Sequence, residues 1–374
     1  MVTRIYLVRH CESEGNVCRR NHAQFDNVPT RKGLLQAEAL ADRFRNIRID
    51  AIYSSDQYRS VVTARAIADR KGLEVRLRRL LREYTIGTWE GTGIGEMARD
   101  YPELWDVFLK TPWKQNIPGC DSFETVAQRG YRAIMDIVNE NRGGTAVAVS
   151  HLTTISCALT KLFGRSIDEY ASFPGGDNTA VTLLEIDDDD NVKGVFFGDI
   201  SHLPDNLRRT NYTGRTAETN FAFDRIDDSN MGVFLEMFRK HEVGRGNAFD
   251  AEKALQILNE SLSLGRDHSM IAVLMGRPCG FFIDRNDSRF PADHGFLDRL
   301  YMVEDITEPG MAAQIFGEAL DRMRRAGKRY IVLAQSDDVY TRFFLERFIF
   351  EPVPGCDGFQ RMRITVPGIE GPVY

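Results

Sequence analysis

The chain has no run of about 18 apolar residues, so no transmembrane helix is expected. Its first apolar run, Ile5–Val8, is short and flanked by Arg4 and Arg9, so no secretory signal is expected either. The six cysteines (Cys11, Cys18, Cys120, Cys157, Cys279 and Cys356) form no C-x-x-C pair. That excludes zinc-finger spacing, and the scatter reads as reduced thiols in a cytoplasm. Excess positive charge is also missing: the formal net charge is −6, which argues against a protein that coats nucleic acid. No internal repeat occurs. The acidic run Asp187–Asp190 lacks calcium-loop spacing, so it reads as a hairpin tip and no metal is expected there.

What is present is ordinary for a globular protein. Hydrophobic residues make up 43% and charged residues 27% of 374, a length that suits two domains. The first half alternates strands and helices. Ile5–Val8, Ala51–Tyr53 and Ala146–Val149 read as buried strands. The residues 33–46 and 123–139, the stretch from Ser55 or Asp56 through Ala68, and the one from His151 through Leu162 read as helices. The residues 180–186 and 192–197 form an expected hairpin. This pattern predicts a mostly parallel sheet covered on both faces. The residues 206–219, within the polar stretch LPDNLRRTNYTGRTAET, read as a linker. After it the pattern restarts: a strand, two helices, three strands, a helix, a strand, a helix and a final strand.

In an open α/β sheet, ligands bind beyond the carboxyl ends of the strands. The first strand delivers Arg9 and His10, the second leads to Arg59, and the third delivers His151. Two arginines and two histidines meeting there suit a phosphoryl group. Guanidinium forks match phosphate oxygens. A neutral imidazole can attack phosphorus and split one displacement into two, with the other cations holding the spreading charge. Glu83, in LREYTIGTWEG, can give the leaving oxygen its proton. Arg19, Arg20 and His22, in the loop after Asn16, could read a second anionic group on the substrate. Cys11 lacks the C-x5-R loop of a cysteine phosphatase, so it is not read as a nucleophile.

The stretch LVRHCESEGN resembles the signature of the histidine phosphatase superfamily, which includes the cofactor-dependent phosphoglycerate mutases. The resemblance continues through VPTRKGLLQAEAL, IYSSDQYRSVVTARAIA, LREYTIGTWEG, PGCDSFETVAQR, VSHLTTI and DNTAVTLLE, over residues 1–205. It implies a phosphoglycerate mutase-like three-layer α/β/α domain. It makes His10 the nucleophile and Glu83 the proton donor, and it places Arg9, Asn16, Arg59 and His151 around the phosphate, with no metal or other cofactor required. Two positions depart from the pattern: Cys11 and Leu152 stand where the family usually has glycine. The segment between Glu83 and His151 is short, and its basic residues Arg99, Lys110 and Lys114 are scattered. It lacks the basic insertion of the mutases, which favours hydrolysis of a small phosphorylated substrate.

Residues 220–374 are similar to a GNAT acetyltransferase, an α+β fold, through GFLDRLYMVEDI, AAQIFGEALDRMRRAGKRYIVLA and YTRFFLERFIFEPV. The resemblance implies a cofactor loop spanning Val303, Gly310 and Ala313. The loop departs from its pattern: Glu308 stands where a basic or amide residue is expected and Met311 replaces the inner glycine, which sets acetyl-CoA binding in doubt. Phe344 occupies the position of the family's tyrosine acid, with Tyr340 one turn earlier. The sequence therefore reads as a phosphoric monoester hydrolase with an appended binding or assembly module. The alternatives are a bifunctional phosphatase/acetyltransferase and a non-catalytic binding protein that retains both folds. A homo-oligomer stays open.

Overall fold

The structure is a computed structural model that describes residues 1–173, 176–208, 217–306 and 308–366, with Pro309 described by its backbone alone. The first half runs β1 (Thr3–Arg9), α1 (Glu14–Val17), α2 (Arg31–Arg43), β2 (Ala51–Ser54), α3 (Tyr58–Lys71), β3 (Val75–Leu77), α4 (Ile94–Asp100), α5 (Pro102–Lys110), α6 (Phe123–Glu140), β4 (Thr145–Ser150), α7 (Leu152–Leu162), β5 (Val181–Ile186) and β6 (Val192–Asp199). Its sheet has the order β3-β2-β4-β1-β5-β6. The pairs β1–β4, β2–β4 and β2–β3 are parallel, and β5 and β6 close the sheet antiparallel. β1 and β4 lie at the centre, where both faces are covered. That explains their unbroken apolar runs: Ile5, Leu7, Val8 and Ala146–Val149 are all buried.

Helix placement follows from local chemistry. The Thr30 hydroxyl accepts from the Gly33 N–H at 2.9 Å and caps α2. A Cβ on Gly33 would lie 2.0 Å from the Glu12 carbonyl oxygen, so only glycine lets α2 approach the loop after β1 so closely. α6 buries one stripe, including Val126, Ala133, Ile134 and Ile137, and starts on a Ser122 cap. Among the described residues, no helix is long and apolar enough to cross a membrane.

The second half runs β7 (Ala222–Arg225), α8 (Met231–Gly244), α9 (Ala251–Leu262), β8 (Ser269–Leu274), β9 (Arg277–Arg285), β10 (His294–Met302), α10 (Pro309–Arg325), β11 (Tyr330–Ala334), α11 (Val339–Arg347), β12 (Glu351–Pro352) and β13 (Phe359–Arg363). It is also an α/β unit. Its sheet has the order β12-β13-β11-β10-β9-β8-β7 and, among the described residues, is antiparallel except where β10 meets β11.

Several expectations need correcting. β3, α4 and α5 are additional to the expected elements, and the last two place two helices between Glu83 and α6. Helix α3 begins at Tyr58, with Gln57 as its N-cap, so neither Ser55 nor Asp56 caps it. The first part of the expected linker packs down: Gln36 donates to the Leu207 carbonyl at 2.8 Å, and Leu207 is buried. Residues 209–216 of the linker lie outside the described residues. The two halves are not merely tethered. Cys18 of the first half is buried in the apolar cluster of the second, with Phe221, Phe316 and Ala319.

Candidate active site

The site stands at the carboxyl ends of β1, β2 and β4, as the strand-end argument requires. His10 follows β1, and its N–H donates to the Ser150 carbonyl at 3.0 Å, tying it to the end of β4. His10 Nδ1 lies 2.7 Å from the Cys11 carbonyl oxygen. A carbonyl can only accept, so Nδ1 carries the proton and Nε2 keeps its lone pair. Burial, with Arg59 and Arg9 alongside, holds the His10 imidazole well below its usual 6.5. It is therefore neutral near pH 7, the form that can attack.

His151 faces it, with ring centroids 5.1 Å apart. Its Nδ1 accepts from an Arg59 nitrogen at 3.3 Å, so Nε2 bears the proton and donates to Ser55 Oγ at 3.0 Å. Burial, then Arg59 and His10, hold this imidazole low too. Arg59 is buried beneath the loop of residues 22–26. It donates to the Ala23 carbonyl at 3.0 Å and meets Asp26 at 3.3 Å. Arg9 donates to the Gly176 carbonyl at 3.0 Å. Asn16, in α1, has its side-chain oxygen held by the Ser13 N–H (3.1 Å) and by Asn178 Nδ2 (3.3 Å), while Asn178 also donates to the His10 carbonyl. Glu83 accepts from the N–H groups of Thr153 (3.3 Å) and Thr154 (3.1 Å), at the start of α7.

Arg9, His10, Asn16, Arg59 and Glu83 line one cavity of about 310 Å³, and His151 stands against it through Arg59 and His10. The two departures from the family pattern are accommodated. Neither Cys11 nor Leu152 has a left-handed backbone. The Cys11 N–H donates to Thr63 Oγ1 at 2.9 Å, and its thiol is fully buried. Burial pushes that thiol up to about 12, so it stays protonated and is no nucleophile. Leu152 is the first residue of α7, and its side chain forms part of the cavity wall.

Arg19, Arg20 and His22, the expected substrate loop, all line the cavity, and each has partners of its own there. Arg20 is buried, and its guanidinium pairs with Glu318 and, at 3.1 Å, with Asp321, both on α10. Arg19 donates to the Thr219 carbonyl and to Asn220 at 3.2 Å. His22 reaches the cavity but faces Asn27 through Nδ1, and burial, with Arg324, Arg20 and Arg59, keeps it neutral. These residues sit at the cavity, yet their cations are engaged by the second half of the chain.

Sequence reasoning missed the supports: Ser55 on His151, Thr63 on Cys11, Asp26 on Arg59, and Glu90, which accepts from the N–H groups of Ala23 and Phe25. It also missed Arg347 of α11, which lines the same cavity and pairs with Glu12 at 2.5 Å. No local sequence signal marks a partner more than 300 residues away.

In the second half, Val303 donates its N–H to the Cys279 carbonyl at 2.9 Å, Gly310 reaches the cavity of the first half, and Ala313 is fully buried. Met311 is built into the apolar cluster, and Glu308 is the N-cap of α10 without a side-chain cap bond. Phe344 is buried and stacks on Phe316, centroids 4.5 Å apart.

The profile of the histidine phosphatase superfamily (branch 1) matches residues 5–196. Phosphoserine phosphatase 1 of Hydrogenobacter thermophilus is 30% identical over 191 residues, covering 51% of this chain and 90% of that protein. A probable phosphoglycerate mutase of Enterobacter sp. is 33% identical over 161 residues, covering 43% of this chain and 74% of that protein. Among solved structures, Bacillus stearothermophilus YhfR matches with a TM-score of 0.52 and 30% identity, covering 54% of this chain and 98% of that one.

Proposed function

We propose, from the premise that this chain belongs to the histidine phosphatase superfamily (branch 1), that it hydrolyses small phosphomonoesters through a phosphohistidine on His10. The observation that carries this reading is the His10 tautomer: Nδ1–H is committed to the Cys11 carbonyl and Nε2 is left with its lone pair. In the first step Nε2 bonds to phosphorus as the ester P–O bond breaks, and a proton carried by Glu83 goes to the departing oxygen. Arg9, Arg59 and Asn16 hold the phosphoryl oxygens, and His151 orients Arg59 through its Nδ1. In the second step water attacks phosphorus, its proton passes to Glu83, and the P–N bond breaks to restore neutral His10. The positive charge comes from side chains, so the reading requires no metal.

Hydrolysis is favoured over mutase transfer because the basic residues after Glu83 stay away from the cavity. Arg99 pairs with Asp100 and Asp224, and Lys110 pairs with Asp106 on the helix surface. Phosphoserine and phosphoglycerate are the substrate types that the relatives' names suggest.

For the second half, the reading is a GNAT-like domain that acts as a binding or assembly module. Supporting it are the element order and the parallel pairing of β10 with β11, whose register covers only His294–Phe296 against Tyr330–Val332 before the two strands part and β10 continues paired with β9. Against a live acetyltransferase stand the Met311 anchor in the core and the buried Phe344. The test of the phosphatase reading is turnover of a generic aryl phosphate in excess chelator. Sustained release of phosphate supports it, and loss of activity that returns only with added metal overturns it.

A further inference from the structure

Two buried carboxylates stand in the segment that follows His10. Glu12 lines the same cavity as Arg9, His10, Asn16 and Arg59, and Glu14 opens α1 with its side chain fully buried. Among the described residues, neither forms an ion pair with a cation of the first half. Glu12 pairs with Arg347 of α11 at 2.5 Å, and Glu14 pairs with Arg324 of α10. Lys32 of α2 lies within the field of Glu12, yet its ammonium is bonded to the Arg208 carbonyl. The first half in turn gives its own Arg20 to Glu318 and, at 3.1 Å, to Asp321, both on α10. The halves exchange cations.

The exchange falls on the segment that sets the phosphate site. Between Glu12 and Glu14, the Ser13 N–H holds the side-chain oxygen of Asn16 at 3.1 Å. Glu12 is anchored from the first half through one oxygen and its backbone: Oε1 accepts from Thr30 Oγ1 at 2.6 Å, and its N–H donates to Gln36 at 2.9 Å. Its other oxygen, Oε2, accepts from Arg347. Arg324 lies over the Phe25 ring, 5.4 Å from its centroid, and donates to the Ile364 carbonyl at 2.5 Å, which fixes it beside Glu14. A Cβ on Gly317 would lie 2.4 Å from Cys18 Cβ, so α10 packs directly against the end of α1. A buried carboxylate without its cation is strongly unfavourable, and beside a phosphate dianion it also repels the ligand. The two arginines remove both penalties and so stabilise the form of the loop that presents Asn16 to an anion.

We propose that Arg324 and Arg347 are positioning residues of the phosphatase site. Acting through Glu14 and Glu12, they hold the loop that carries Asn16, so the second half is a structural part of the phosphate pocket. This inference rests on the phosphatase reading. It gives the two halves a reason to share a chain: the family profile ends at residue 196, and both arginines lie beyond it.

The test uses the full chain, with inorganic phosphate as a competitive inhibitor and with p-nitrophenyl phosphate and phosphoserine as substrates. Arg347→Ala is expected to raise the inhibition constant for phosphate roughly tenfold. It is expected to raise KM for both substrates by the same factor, with kcat moved less than about threefold. Arg324→Ala is expected to behave alike. Arg347→Lys, which keeps the charge, is expected to stay within about threefold of the wild type. Adding Glu12→Gln to Arg347→Ala is expected to recover most of the loss, because the uncompensated charge is gone. In an Asn16→Ala background, Arg347→Ala is expected to add little, since residues acting through one contact are not additive. Arg99→Ala is the control: it breaks an exposed pair with Asp224 that also joins the halves, and phosphate inhibition is expected to stay unchanged. If thermal melting shows Arg347→Ala unfolded, Arg347→Gln takes its place with the same expectation. An unchanged inhibition constant in either arginine variant, an equal loss in Arg99→Ala, no recovery with Glu12→Gln, full additivity with Asn16→Ala, or a loss confined to phosphoserine would each overturn the inference while leaving the phosphatase reading standing. Absence of turnover and of phosphoenzyme in the wild type would instead overturn the phosphatase reading, and this inference with it.

Discussion

The two sheets of this chain end in opposite states at their carboxyl edges. The first brings together every charged group the proposed chemistry calls for although two usual glycines are gone. Cys11 and Leu152 fit because neither position requires a left-handed backbone, and because Thr63 holds the Cys11 N–H while Ser55 holds His151, the residue before Leu152. The second keeps a full apolar core, and on the GNAT-like reading proposed for it Met311 faces that core where a backbone approach to an anion would be needed. The difference teaches that a site survives where its supporting bonds survive, and a fold survives where its core does. The two are separable.

That contrast can be broken at its strongest point first. His10→Ala is expected to lower kcat roughly 10⁴-fold or more with any phosphomonoester, as removal of a nucleophile does. Steady-state phosphate release measures it, and a loss below about tenfold would contradict the assignment. Glu83→Gln is expected to cost roughly 100- to 10,000-fold with alkyl leaving groups and much less with p-nitrophenol, which departs without a proton. Equal losses on both would remove Glu83 as the proton donor.

The joint between the halves comes next. Arg20→Ala removes one partner each from the buried Glu318 and Asp321, which keep Arg322 and Arg325, so stability is expected to fall by about 1–3 kcal/mol. Urea denaturation reads this, and a change under about 1 kcal/mol would show the halves to be energetically separate.

The pH profile carries a smaller effect. His10 must be neutral to attack, and its folded pKa lies well below 6.5. The fraction of neutral imidazole therefore stays near one from pH 7.5 down through 6.5 and is lost only as pH falls through the lowered value. The acid limb of kcat/KM is expected well below pH 6.5, and Arg59→Ala, which removes a cation that holds His10 low, moves the limb upward. The smallest signal belongs to the second half: acetyl-CoA titrated into the full chain is expected to give no saturable heat, and micromolar binding would restore the acetyltransferase reading.

How much of this was legible follows from range in sequence. The strand ends were readable because β1, β2 and β4 carry continuous apolar runs that stop at polar or ionisable residues. The second half's order was readable from its alternation of strands and amphipathic helices. Helices α4 and α5 were missed because they are short and separated only by Tyr101, with Pro102 opening the second. The partners of Arg19 and Arg20 were not legible, because basic residues in a loop beside a phosphate site carry no local mark of them. Those partners, Asn220, Glu318 and Asp321, lie 200 residues or more along the chain. Arg347 was invisible for the same reason.

The central claim is that His10 Nε2 takes the phosphoryl group. The direct measurement is rapid acid-free quenching of the wild type with a ³²P-labelled phosphomonoester in chelator, followed by mass-spectrometric mapping of the label. The account predicts an acid-labile, base-stable phosphohistidine at position 10 that forms and decays at rates matching turnover. Label on any other residue, or turnover with no phosphoenzyme on the pathway, would contradict it.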